Sequence, residues 1–371
     1  MKGLLVKIAI NLLPFVQRSG IECYTENLLA ELLGSDDEFY IYYRDKLPLS
    51  ISSENSNIHL RKVVTRIPMS LYMQLIFPFT LLLEKIDIVL STCPTHPIIL
   101  SRRNVVIIHD CCYHAFPENA QNKLKLYLIK FMCWSAIRFA KRVVTVSNFS
   151  VGEIERVYKL NEGTIENISA GVPSMLTIDD DSAKNTLSKY DLEENGYIFF
   201  VASVQPHKNL LAIIGAFLSL SIDVKGNTKL VIAGRLGSME KRVMDLVMTS
   251  GVSDSVIVLG FVDEIEKICL IRESIGVCLA SLYEGFGIPI LEAQSMGVPI
   301  LTSNICSMSE VVGDSGILVD PYDETDISRG MKDLIQLSYD ERISISGLAE
   351  INLERFSWKK CAERLMAAVK N

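Results

Sequence analysis

The sequence predicts an α/β protein built from two doubly wound parallel-sheet domains. Three observations carry this. At 371 residues the chain is long enough for two full-sized cores. Through the N-terminal half, short apolar runs of strand length alternate with helical patterns, the rhythm of a parallel sheet with crossover helices. Further on, the apolar run Ile275 to Ala280 reads as a strand, Gly285-Phe286-Gly287 as a tight turn, and Pro289 to Met296 as a helix with Pro289 in its first position and Gly297 as its stop.

Taken in order, Val6 to Ile10 reads as the first strand, Gln17 to Ile21 as a loop and Glu22 to Leu33 as a helix. Phe39 to Tyr43, Asp87 to Leu90, Asn104 to Ile108 and Arg142 to Val146 follow as strands. Ligands of such sheets sit beyond the carboxyl ends of the strands. Ser19-Gly20, His109-Asp110 and Ser147 are therefore the N-terminal positions of interest, Ser147 also as a helix cap. The polar, acidic stretch from Thr177 to Gly196 reads as a linker with a short helix. Tyr197 to Ala202 opens the second domain as a strand, followed by the loop Ser203 to Leu210, a helix through Leu218, and strands at Lys229 to Ala233 and Val256 to Val262. The chain ends with Phe356-Ser-Trp358 and a helix to Lys370. The expected divisions are 1–175, 196–355 and 356–371.

Chemistry concentrates in Ser281 to Glu292. A glycine turn leading into a helix presents backbone N–H groups and the positive end of a helix dipole, which suits an anion. Glu284 precedes the turn and Glu292 lies one helical turn beyond it. Carboxylates accept paired hydrogen bonds from vicinal hydroxyls, so one could hold a sugar and the other a ribose. A dinucleotide fingerprint fits less well, because position 290 is Ile where a third glycine would stand. A lysine in a strand-to-helix loop, as at Lys208, can hold a diphosphate as a point charge.

The ordered string from Ser281 through Gly297-Val-Pro-Ile-Leu-Thr-Ser303 and Glu310 to Pro321 resembles the E-x7-E signature of glycosyltransferase family 4, the retaining GT-B enzymes. The resemblance implies a GT-B fold, two Rossmann-like domains facing across a cleft, with the last helix crossing back to the first domain. It implies that Glu284 holds the transferred sugar and Glu292 the ribose, with Gly285, Phe286, Gly287 and Ile288 lining the diphosphate. Ser203-Val-Gln-Pro-His-Lys-Asn209 is similar to the family's Glu-Pro-Arg-Lys-Asn stretch and aligns Lys208 with its diphosphate lysine. Gln205 and His207 depart from it, and Ser203 stands where many members carry an arginine, so Arg235 or His207 is left to replace the missing cation. Val106 to Glu118 resembles the family's His-Asp segment, in which His109 reaches the donor sugar; His114 is read as structural. Ser19 to Tyr24 resembles the glycine loop near donor and acceptor, with Gly20 kept and Ser19 in place of a second glycine.

Bulk properties bound the rest. With 49% hydrophobic and 22% charged residues the chain is globular, and a net charge of −7 argues against nucleic acid. Nine cysteines without a C-x-x-C pair point to neither zinc nor disulfides. The opening residues lack a signal-peptide pattern, and Leu71 to Leu83 is too short to span a bilayer. A cytoplasmic, reduced protein is expected. Lys123, Lys125, Lys130, Arg138, Lys141 and Arg142 interleave with apolar residues, and two readings stand open: a basic amphipathic helix on an anionic membrane, or a sheet-packed helix with a solvated basic face.

The expected activity is retaining transfer of a hexose from a nucleotide-diphospho-sugar, without metal or other cofactor, to a lipid-linked saccharide acceptor in bacterial surface polysaccharide synthesis. The pattern His109-Asp110-x6-Pro117-Glu118 looks like that of mannosyl- and rhamnosyltransferases, which favours GDP-mannose. A GT-B-like sugar-nucleotide epimerase and a catalytically silent, partner-binding subunit are the alternatives.

Overall fold

The computed structural model describes residues 5–15, 20–44, 51, 56–120, 122–173, 178–249 and 254–370. Ser19, the loop positions 17–18, the opening residues 1–4 and Thr177 lie outside the described residues. The chain divides into two compact units. Unit 1 is Met1–Gly171 with Phe356–Asn371, and unit 2 is Val172–Arg355.

Among the described residues, unit 1 holds a seven-stranded parallel sheet. Its strands are β1 (Lys7–Asn11), β2 (Glu38–Tyr43), β3 (Ile58–Lys62), β4 (Ile88–Ser91), β5 (Asn104–Ile107), β6 (Arg142–Thr145) and β7 (Glu166–Asn167), in the order β3-β2-β1-β4-β5-β6-β7. β1 sits at the centre, pairing Ile8 with Phe39 on one side and Ile88 on the other. Ile8, Ala9 and Ile10 are all fully buried, as expected of a strand covered on both faces.

Unit 2 repeats the arrangement with six parallel strands among the described residues. They are β8 (Tyr197–Val201), β9 (Lys229–Ala233), β10 (Val256–Gly260), β11 (Gly276–Leu279), β12 (Ile300–Ser303) and β13 (Gly316–Val319), in the order β10-β9-β8-β11-β12-β13. In both sheets the order reverses beside the first strand, between β1 and β4 and between β8 and β11. That reversal opens a crevice at the carboxyl ends, where doubly wound sheets bind ligands.

Several elements depart from the sequence expectation. The first helix is Gly20–Leu32, starting two residues before Glu22. β10 stops at Gly260, short of Val262, because its register against β9 shifts after Val258 and Gly260 takes a positive φ of 72°. The helix after the glycine turn is Ile288–Ser295, so Pro289 occupies its second position. The basic helix is Lys123–Phe139, capped by Asn122, whose side chain accepts from Lys125 N at 2.8 Å. Lys141 and Arg142 are not on it. Lys141 N donates to Asn104 O at 2.9 Å and Arg142 opens β6, so sheet pairing captures the chain there. Ser147 does cap the next helix, accepting from Ser150 N at 3.0 Å.

Leu71 to Leu83 is helical with a π turn at Tyr72–Ile76 before the helix Phe77–Leu83. Pro78 explains the wide turn. It offers no N–H to the carbonyl four residues back and its ring would crowd that carbonyl.

The helix Trp358–Lys370 belongs to unit 1 and packs on Gly20–Leu32. Tyr24 Oη donates to Ser169 O at 2.8 Å and meets Cys361 Sγ at 3.2 Å, while its ring stands edge-on to Trp358. Gly171 permits the contact: a Cβ there would lie 2.2 Å from Trp358 N.

Candidate active site

Lys208 and Glu284 follow the two strands that flank the reversal in unit 2. Two hydrogen bonds tie their loops together, and a third reaches the loop after β13. Leu282 N donates to His207 O at 2.8 Å, and Asn209 Nδ2 donates to Ala280 O at 3.1 Å and to Pro321 O at 2.7 Å. Asn209 takes a positive φ of 59°, a conformation asparagine tolerates better than most residues, and this turns the chain into the helix Leu210–Leu218. The result brings Lys208 Nζ to 2.5 Å from Glu284 Oε1, which also accepts from Ser281 Oγ at 3.0 Å. Both side chains remain partly accessible, 18% for Lys208 and 12% for Glu284, so the pair is held at the edge of solvent.

The turn beyond Glu284 is fixed by one side chain. Ser307 Oγ is within hydrogen-bond reach of Glu284 O at 2.8 Å and of Phe286 O at 3.0 Å. Peptide units are planar and trans, so the N–H groups of Gly285 and Gly287 point away from Ser307. Gly287, at φ 103°, is the N-cap of Ile288–Ser295. Glycine is needed there both for that φ and because a Cβ would press on Ile290 Cδ1 at 3.0 Å.

Glu292 is buried and does not stand alone. Lys267 Nζ lies 2.7 Å from its Oε1 and 2.8 Å from Glu264 Oε1. Burial alone would lower the Lys267 pKa, but the two carboxylates outweigh it and the ammonium is held above its ordinary value. Sequence reasoning missed Lys267. Its place in the helix Glu264–Arg272, 25 residues before its partner, carries no local signal.

His207 is poorly suited to be the replacement cation. It is buried, and burial together with neighbouring Lys208 pushes its pKa down to about 4, with Glu284 opposing. The ring is neutral at physiological pH. Arg235 follows β9 with its guanidinium 5.1 Å from the Phe261 ring centroid. Gly234 before it, at φ 127°, runs against Ala202, where a Cβ would fall 1.7 Å from the carbonyl oxygen. This close approach sets the loops after β8 and β9 side by side, and Val204 N donates to Arg235 O at 2.9 Å. Ser203 is exposed in the same loop.

In unit 1, His109 follows β5. Its Nε2 is 2.9 Å from Thr92 O, beyond β4. A carbonyl only accepts, so Nε2 carries the proton and Nδ1 is the lone-pair nitrogen. Burial pushes His109 down to about 4, with the Thr92 carbonyl opposing, so it too is neutral at physiological pH. Tyr24 stands edge-on to the ring, and Thr145 and Ser150 hydroxyls reach the His109 carbonyl at 3.4 and 2.9 Å. Gly20 is exposed at the start of its helix. His114 packs edge-on against Tyr158. Among the described residues, no group of three or more His, Cys, Asp or Glu side chains is arranged to hold a metal ion.

A family model described as glycosyl transferases group 1 matches residues 183–346, the span containing Lys208, Arg235, Lys267, Glu284 and Glu292. The O-antigen chain mannosyltransferase B of Escherichia coli is 30% identical over 270 residues, 72% of this chain and 70% of that protein. This chain belongs to the group 1 glycosyltransferases. Another relative of this glycosyltransferase is the O-antigen chain mannosyltransferase RfbU of Salmonella typhimurium, 25% identical over 66% of this chain and 65% of its own length. The serotype-specific mannosyltransferase WbdA of Escherichia coli is 29% identical over 60% of this chain, but the match spans only 28% of that longer protein. Solved structures show the fold. WaaG, a glycosyltransferase involved in lipopolysaccharide biosynthesis, superposes with a TM-score of 0.72 at 14% identity over 98% of both chains. Anabaena Alr3699/HepE in complex with UDP and glucose gives 0.77 at 14% identity, over 99% of this chain and all of that one. The glycosyltransferase therefore has the GT-B fold of two parallel-sheet α/β units.

Proposed function

We propose that this glycosyltransferase moves a hexose, with mannose the leading reading, from a nucleotide-diphospho-sugar to a lipid-linked saccharide in O-antigen synthesis, with retention and without a metal. The juxtaposition of Lys208 and Glu284 at the unit 2 reversal carries the reading. The mannose and O-antigen assignments draw on what the similar proteins are named for.

In this reading the diphosphate lies against Lys208, the Gly285 and Gly287 amides and the start of Ile288–Ser295. These are donors fixed before charge develops on the leaving group, which is where electrostatic help accelerates a reaction. Arg235 supplies the second cation, since His207 is neutral. Glu284, held from one side by Lys208 and Ser281, keeps Oε2 for the sugar hydroxyls. Glu292, held by Lys267 through Oε1, keeps Oε2 for the ribose. His109 offers its Nδ1 lone pair to a sugar hydroxyl, and Ser203, Phe286, Ile288 and Gly20 contribute at the margins. The departing phosphate takes the acceptor's proton in a front-face attack, so no carboxylate has to become a nucleophile. The epimerase and silent-subunit readings are not favoured, because the relatives are named as transferases and the ionic pair is intact.

No helix among the described residues is long and apolar enough to cross a membrane. We place the enzyme at the inner face of the cytoplasmic membrane, with the basic residues of Lys123–Phe139 toward anionic lipid. The test is a panel of nucleotide sugars read first by thermal stabilisation, then by transfer, with the anomeric product assigned by magnetic resonance. A donor at a hundred times its Kd stabilises by about 2.7 kcal/mol. GDP-mannose is expected to stabilise the chain and give an α product; a panel without effect would contradict the reading.

A further inference from the structure

Single exposed apolar side chains are ordinary on a protein surface, but a contiguous group signals a partner. Unit 1 carries such a group on three neighbouring segments. On the first, Met73, Phe77 and Leu81 turn into the core while Leu75, Phe79 and Leu83 face out, Phe79 at 65% and Leu83 at 83% exposure. On the helix Lys123–Phe139, Met132, Cys133 and Ala136 are buried. Its outer side presents Leu124, Tyr127, Leu128, Phe131 and Trp134, a stripe at helical spacing with Leu124 at 78% exposure. Between the two lies the short 3-10 helix Ile98–Arg103, with Ile99 exposed.

Hydrogen bonds stitch the three together. Gln74 Nε2 donates to His96 O at 2.9 Å, and Ile98 N donates to Gln74 Oε1 at 3.0 Å. His96 Nε2 in turn lies 3.4 Å from Ser135 Oγ on the helix Lys123–Phe139. The stripe is thus a built surface on a common scaffold. Phe131, Trp134 and Phe139 form an outer aromatic cluster, with ring centroids 5.8 and 5.6 Å apart in succession.

Charge identifies the occupant. In a chain of net charge −7, the segments 66–83, 97–103 and 122–139 contain no aspartate or glutamate but carry Arg102, Lys123, Lys125, Lys130 and Arg138 among their apolar residues. Aromatic residues interleaved with cations match the boundary of an anionic bilayer. A symmetric contact with a second copy would set cations against cations.

We propose that residues 69–83, 98–103 and 123–139 form one docking face whose apolar side chains enter an anionic leaflet, with the lysines and arginines of these segments at the headgroups. This deepens the reading of the basic helix given above: hydrophobic insertion across three segments, rather than charge on one helix, holds the enzyme on the membrane.

The test is sedimentation of the full chain with phosphatidylglycerol-containing vesicles and with phosphatidylcholine vesicles, at low and high salt. The chain is expected to bind the anionic vesicles at least tenfold more strongly. The triple variant Leu75→Ser, Phe79→Ser, Leu83→Ser is expected to lose at least tenfold of that binding, with its melting curve and its stabilisation by nucleotide sugar unchanged. Trp358 is buried, so a blue shift of tryptophan emission on the vesicles reports Trp134 entering lipid. Wild-type protein left in the supernatant, a triple variant that binds like wild type, or a vesicle-independent dimer that buries Trp134 would each overturn the proposal. Vesicle binding that persists without any response to nucleotide sugars would contradict the donor reading and leave this one standing.

Discussion

Lys267 Nζ and Glu292 Oε1 lie 2.7 Å apart, with both side chains largely removed from solvent. The pair fixes which oxygen of Glu292 faces the protein. Removing one partner of a buried pair leaves an uncompensated charge and typically costs about 3–5 kcal/mol. Lys267→Met is therefore expected to destabilise unit 2 by that order, more than the double variant Lys267→Met, Glu292→Gln, which removes one of the two stranded carboxylates. Urea unfolding of the three proteins measures it. Equal midpoints for Lys267→Met and wild type would show that the pair holds nothing in place.

Lys208→Ala is expected to lower turnover at least tenfold while the fold stays intact, since Lys208 is partly accessible and Glu284 keeps Ser281 as a donor. Tenfold corresponds to about 1.4 kcal/mol of transition-state stabilisation. Steady-state kinetics beside a thermal melt decides the matter, and a wild-type rate would remove Lys208 from the site.

His109 and His207 both have folded-state pKa values near 4, below the ordinary 6.5. The unfolded chain therefore takes up protons first as pH falls. Stability is complete above about pH 6.5, declines as pH drops toward 4, and loses no more from these groups below that. At about 1.4 kcal/mol per pH unit, each histidine contributes about 3 kcal/mol across the window. His96 and His114 are also held low by burial and add to the slope. His207→Gln should flatten the dependence of the urea midpoint between pH 7 and 4; a slope parallel to wild type would show that His207 is protonated in the folded protein.

Activity is expected to survive chelation, because the proposed stabilisers of the leaving group are Lys208, backbone amides and a helix terminus. The measurement is sugar transfer after exhaustive EDTA treatment. Activity abolished by EDTA and restored by magnesium or manganese would overturn the metal-independent mechanism.

Much of this was legible in the sequence wherever one local pattern sufficed. Lys229–Ala233 is a buried apolar run with unambiguous ends, and the glycine turn before Ile288–Ser295 is marked by its own residues. The edge strands of unit 1 were not legible: β3 reads Ile-His-Leu-Arg-Lys and β7 is only two residues, because an edge needs little apolar content. Lys267 was invisible because its partner is brought to it by the fold. The choice between Arg235 and His207 as the second cation was open in the sequence, because the burial of His207 depends on the fold. The basic helix was legible as amphipathic, but that its exposed side is largely an apolar stripe depends on which face the sheet covers.

The central claim is that Glu292 serves the nucleotide and Glu284 the transferred sugar. It is tested most directly by calorimetry of the free nucleotide diphosphate on Glu292→Gln and Glu284→Gln, with donor kinetics on the same proteins. Glu292→Gln should weaken the nucleotide by about 1–3 kcal/mol for a lost charged hydrogen bond. Glu284→Gln should leave that affinity unchanged and lower turnover with the full donor. A Glu284→Gln protein that binds the bare nucleotide weakly, beside a Glu292→Gln protein that binds it like wild type, would contradict the account.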